Sequence, residues 1–77
     1  MGERIRRMTA REVEALLARH GFALISQKGS HRKWRHPGST LQVIVPDHGG
    51  RQLPLGTLCN ILKNAEIPKA AWAGYSN

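Results

Sequence analysis

Phe22-Ala23-Leu24-Ile25-Ser26-Gln27, Lys28-Gly29-Ser30, His31-Arg32-Lys33-Trp34-Arg35-His36, Pro37-Gly38-Ser39, then Leu41-Gln42-Val43-Ile44-Val45 before Pro46: this stretch decides the fold. Three runs of five or six residues alternate with clusters of Gly, Pro and Ser, which mark tight turns. The last run is rich in β-branched residues, which suit a pleated, half-buried surface. Three short strands joined by tight turns predict an antiparallel meander.

Working outward toward the N-terminus, Thr9-Ala10-Arg11-Glu12 is a capping box. The Thr9 hydroxyl can accept from the Glu12 N–H while the Glu12 carboxylate reaches back. Met8 and Val13 occupy the two positions of a hydrophobic staple. Val13, Leu16 and Leu17 follow at helical spacing, and Gly21 sits where a left-handed helix stop belongs. A helix is predicted over about residues 10–20. Toward the C-terminus, residues 46–56 hold three glycines and two prolines and predict a loop. Thr57 reads as a second N-cap. Leu58, Ile61, Leu62 and Ala65 then form an apolar stripe at helical spacing. Pro68 is expected to close this helix, and residues 69–73 to add a turn that returns Trp72 to the body. Residues 1–7 read as a basic arm and 74–77 as a frayed tail of a single domain spanning 1–77.

The order is α-β-β-β-α, an α+β fold. Two amphipathic helices need a common surface, and a three-stranded sheet offers one face while leaving the other to solvent. An open sheet face matters because a 77-residue chain buries too small a core to enclose a deep pocket. A shallow site and a polymeric substrate fit such a molecule.

Charge points to that polymer. Twelve Lys and Arg stand against five Asp and Glu, a formal net charge of +7. Such a field attracts polyanions, and each phosphate neutralised releases condensed counterions. Nucleic acid is the expected partner. A membrane is not: the apolar stripes are short enough for a core to consume, and no apolar run nears the roughly 20 residues of a span. A single cysteine, Cys59, excludes an internal disulfide and suits a reducing compartment. With no apolar leader at the start, the expected location is the cytoplasm. His20, His31, His36 and His48 lack metal-ligand spacing, and the five acids are scattered, so no metal cofactor is expected.

Alternation divides the middle strand into two sets. A helix-covered face wants Trp34, with Arg32 and His36 reaching solvent from the strand ends along apolar surface. His31, Lys33 and Arg35 are then left together on the open face, beside Lys28 in the turn. RNA is cleaved when its own 2′-OH attacks the adjacent phosphate. The step needs a base, an acid and positive charge beside the phosphorane. Histidine, with an ordinary pKa of about 6.5, serves as either acid or base. Lys28, Lys33 and Arg35 can stabilise the phosphoryl charge. Gly29 permits close backbone approach, and Ser30 offers a hydroxyl and an N–H. Arg32 joins the set if the strand register is shifted by one. On the residues alone, a solvated basic face with a surface histidine explains the same row. Trp34 reads as core rather than as a base-stacking platform, and Trp72 as an anchor.

Four features together resemble the HicA toxins, RNA-cleaving partners of HicB antitoxins. They are the helix running into Gly21-Phe22; Gln27-Lys28-Gly29-Ser30-His31; Val43-Ile44-Val45-Pro46 with His48 two residues on; and Gly56-Thr57-Leu58 followed by Ile61-Leu62-Lys63 and Ile67. The resemblance spans about residues 9–72. It implies a fold like a double-stranded-RNA-binding domain and a toxin–antitoxin role. It further implies metal-independent endoribonuclease cleavage of mRNA, with no cofactor and a HicB-type antitoxin as partner. The family's essential histidine maps onto His31 and its glycine onto Gly29. His48 matches the family's Pro-x-His position. Cys59 departs from a usually polar position. The alternative is a non-catalytic RNA-binding module, because folds of this kind also bind duplex RNA by shape without cutting it.

Overall fold

The structure, a computed structural model, describes residues 7–72, with Lys69 as backbone alone. The predicted arm other than Arg7, and the predicted tail, lie outside the described residues. The first helix, α1, spans Ala10–Arg19. Its capping box is complete: Glu12 N–H donates to the Thr9 hydroxyl at 3.2 Å, and Thr9 N–H donates to Glu12 Oε1 at 2.9 Å. Gly21 ends α1 with φ +91°. Gly21 N–H bonds to Ala18 C=O at 3.1 Å and Phe22 N–H to Leu17 C=O at 3.0 Å, closing a Schellman motif.

Three strands follow: β1 (Ala23–Lys28), β2 (His31–Arg35) and β3 (Gln42–Pro46). They form one antiparallel sheet in the order β1-β2-β3. The predicted runs have the right number and order; β1 and β3 are each shifted by one residue, and β2 starts at His31 as read and ends one residue earlier, because ladder pairing, not composition, sets the ends. Lys28 pairs with His31, so Gly29-Ser30 is a two-residue hairpin loop. Gly29 has φ +59° while Ser30 does not share the positive region, the combination of a type II′ turn.

The second helix, α2, spans Leu55–Asn64. Thr57 is not its N-cap, contrary to the sequence expectation. The helix starts three residues earlier, with Pro54 at the N-cap, Leu58 N–H bonding to Pro54 C=O at 3.0 Å and no side-chain cap. Leu53, fully buried, anchors the chain just before that turn and fixes where it begins. Pro68 is not the stop either. Glu66 adopts φ +55°, with Glu66 N–H bonded to Lys63 C=O at 3.0 Å and Ile67 N–H to Leu62 C=O at 3.2 Å, a second Schellman motif. A single 3₁₀ turn at Lys69–Ala71 then returns Trp72, which is buried and donates its indole N–H to Ile67 C=O at 3.0 Å.

Both helices pack on one sheet face. Val13, Leu16 and Leu17 of α1 and Leu58, Ile61 and Leu62 of α2 meet Val43 and Val45 of β3 in a single core. The helices lie against β3, and β1 overhangs: all six of its residues are exposed. Trp34 packs against the core from β2 as predicted. Glu14, the one buried charged side chain among the described residues, accepts from Trp34 Nε1 at 2.8 Å. Arg32 Nε sits 3.1 Å from the same oxygen, an ion pair off the line of a hydrogen bond. Among the described residues no helix is long and apolar enough to cross a membrane.

Candidate nucleic-acid interface and catalytic cleft

Cross-strand pairing arranges the open face in rows. Lys28, His31 and Pro46 form one row, Ser26, Lys33 and Ile44 the next, and Ala23, Arg35 and Gln42 the third. Directly opposed Cβ atoms lie about 5 Å apart, and successive rows about 7 Å apart. His31, Lys33 and Arg35 therefore share the open face, as the alternation predicts.

The rows divide the site residues. His31, Lys28 and Lys33 line one shallow cleft of about 660 Å³ with Ser26, Gln27 and Ile44. Arg35 belongs to a separate depression with Ala23, Ile25 and Pro37. Gly29 and Ser30 lie in the hairpin turn rather than in the cleft wall. Gly29 answers one demand, its left-handed φ of +59°; a Cβ there would meet nothing within 4 Å, so space alone does not call for glycine. Ser30 C=O accepts from Asp47 N–H at 2.7 Å, which ties the turn to the start of the His48 loop. His48 is exposed in that loop. Asp47 Oδ1 accepts from Gly49 N–H at 2.9 Å, and Asp47 Oδ2 lies 3.9 Å from Arg32.

Arg32 and His36 depart from their expected place in solvent. Arg32 is held between Glu14 and Asp47 and faces the helices. His36 is half-buried, edge-on to Phe22 with ring centroids 5.3 Å apart, and its Nδ1 accepts from Gly38 N–H at 3.1 Å. Both are structural, which leaves His31 as the imidazole of the open face of β2. Three cleft residues were missed from sequence: Ser26, Gln27 and Ile44. Ile44 was legible, since it alternates with the core valines Val43 and Val45 and must face away from them. Ser26 was not, because a bulge between Leu24 and Ser26 changes the phase of β1. Gln27 pairs with Arg32, on the helix side, and borders the cleft from the strand end, where its amide donates to Gly29 C=O at 3.4 Å.

No three His, Cys, Asp or Glu side chains gather to hold a metal ion among the described residues. What the cleft offers is one imidazole, two ammonium groups, a hydroxyl, an amide and an exposed isoleucine on an open sheet. That set can move a proton and hold an anion at one place.

A family model described as the HicA toxin of bacterial toxin–antitoxin pairs matches residues 10–67. The chain belongs to the HicA toxin family. The match covers both helices, the whole sheet and every residue of the His31 cleft. No curated protein matches the chain. Membership makes this HicA protein the toxin side of a toxin–antitoxin pairing, on the fold α-β-β-β-α that the sequence predicts.

Proposed function

We propose that this HicA toxin is an endoribonuclease that cleaves mRNA, with His31 as general acid or base. The grouping of His31 with Lys28 and Lys33 around one open cleft supports this reading most directly. An RNA strand laid on the open face brings a phosphate between the two ammonium groups. His31 takes the proton of the 2′-OH or gives one to the leaving 5′-oxygen. Lys28 and Lys33 bear the charge of the phosphorane, while the Gly29-Ser30 turn leaves room for the backbone. Arg35, one row away, holds a neighbouring phosphate. The reaction uses no metal, and the protein works in the cytoplasm. A HicB-type antitoxin, drawn by the same positive field, covers the cleft and stops cleavage.

The test is an RNA-cleavage assay in excess EDTA with wild type, His31→Ala and His31→Gln, with thermal melts alongside. Wild type is expected to cut, and to stop when the cognate antitoxin is added. Both variants should melt normally, since an exposed substitution of this kind changes stability by less than about 0.5 kcal/mol. Their rates should fall by roughly 10² to 10⁴. A normally folded His31→Gln that cuts at the wild-type rate removes His31 from the chemistry. Variants that only bind RNA less well, with no turnover to lose in wild type, would favour a binding module.

A further inference from the structure

The cleft at His31 does not stop at β3. A second depression, of about 470 Å³, shares Lys33 and Ile44 with it and continues past Gln42 to α2, where Thr57, Asn60 and Asn64 form the far wall. Together they make one track that crosses the open face from the β1 edge and turns round the β3 edge of the sheet to the second helix. Its chemistry changes along the way. The His31 end carries the imidazole and ammonium groups. The polar groups of the α2 end are neutral hydroxyls and amides, set beside Val43 and Ile61, with Lys33 the single cation on its lining. Ile44, half-exposed, sits where the two halves meet.

We infer that Asn60 and Asn64, with Thr57 and Gln42, read nucleobases of the RNA strand whose phosphate lies at His31, and so choose where the toxin cuts. This rests on the reading of the His31 cleft as a ribonuclease site. Neutral amides do little for phosphates, which call for charge, but each presents a donor and an acceptor that match a base edge. Single-stranded RNA is recognised in this way, its bases splayed out and bonded along their exposed edges. Ile44 supplies an apolar bed for a base face beside them. Thr57, Asn60 and Asn64 stand at i, i+3 and i+7, one face of the helix, and that face borders the track. Asn60 and Asn64 are exposed, and neither side chain bonds to another described residue. Thr and Asn are also poor helix formers compared with the Ala and Arg residues on the exposed face of α1. A surface chosen only for stability would not carry them.

The experiment compares wild type with Asn60→Ala, Asn64→Ala and the double variant on an RNA pool of random sequence, with cut positions mapped. A parallel arm uses the His31→Ala background and sequences the RNAs that remain bound, so that base preference is read without cleavage. The wild type is expected to favour particular bases beside the cut. The double variant should lose about tenfold in that preference, the scale of one good amide–base pair. Its salt dependence should not change, because no charge is removed. Both substitutions install the best helix former, so melting temperature should hold or rise and unfolding cannot mimic the result. If wild type cuts nothing while the bound pool shows a preference that the double variant loses, base reading stands and the ribonuclease reading falls. An unchanged preference in either pool overturns the inference, as does a wild type that binds no RNA. So does a double variant that keeps its preference but no longer binds the antitoxin, which would make this face the antitoxin's.

Discussion

The two helices have ten residues each and cover the same sheet face, yet they are held in place differently. Helix α1 carries its own instructions: a capping box at one end, glycine in the left-handed position at the other, and Ala and Arg along its outer face. Helix α2 has none of these. It starts without a side-chain cap, ends with Glu66 at φ +55°, and shows solvent Gly56, Asn60 and Asn64. What holds it is Leu58, Ile61 and Leu62, all buried, and the Leu53 anchor before it. Tertiary packing holds both helices, and local signals add to it in α1 alone. A helix that depends on its buried face is free to spend its outer face on something else.

That contrast can be broken most sharply from inside. Leu62→Ala removes a fully buried side chain and should cost about 2–5 kcal/mol, read by chemical denaturation. The loss should include the helical signal of α2. A cost below about 1 kcal/mol, under the range for such truncations, would mean that α2 does not depend on its packing. At the α1 end, Thr9→Ala removes the acceptor for Glu12 N–H and should cost about 1 kcal/mol. An unchanged denaturation midpoint would show that the box adds nothing to a helix its core contacts already hold. Smallest, and opposite in sign, is Glu66→Gly. It relieves a left-handed side chain and should stabilise the protein by about 1 kcal/mol. If the variant is instead less stable, Glu66 makes a contact that outweighs its backbone strain.

The same contrast explains what the sequence made legible. The α1 ends, the β2 alternation and the β3 core valines are local patterns, and each can be read from neighbours along the chain. Trp34 sorted β2 correctly because only one face of a three-stranded sheet can bury an indole. The start of α2 was misread because Thr57 imitates a cap, while the true determinant is Leu53 burying itself against Met8, whose C=O accepts Leu53 N–H at 2.8 Å. The place of Arg32 was misread for a similar reason. Its partner Glu14 lies 18 residues away in sequence, on another element, and nothing near Arg32 announces it. The cleft's basic half was visible as Lys28, His31 and Lys33. Its neutral half was not, because Asn60 and Asn64 on a helix look like ordinary solvated residues until α2 is seen standing beside Ile44.

One irregularity bears on how chains of this kind change length. The five β1–β2 pairings use residues 23, 24, 26, 27 and 28, and Ile25 is the one left over. Removing it would leave every pairing in place and the ladder regular. An extra or missing residue at any other point in the strand would turn the following side chains to the opposite face. Position 25 is thus a slack link between α1 and the Lys28–His31 hairpin. Length drift in the preceding chain can be taken up there, in a side chain half-exposed to water, without reaching the histidine six residues on.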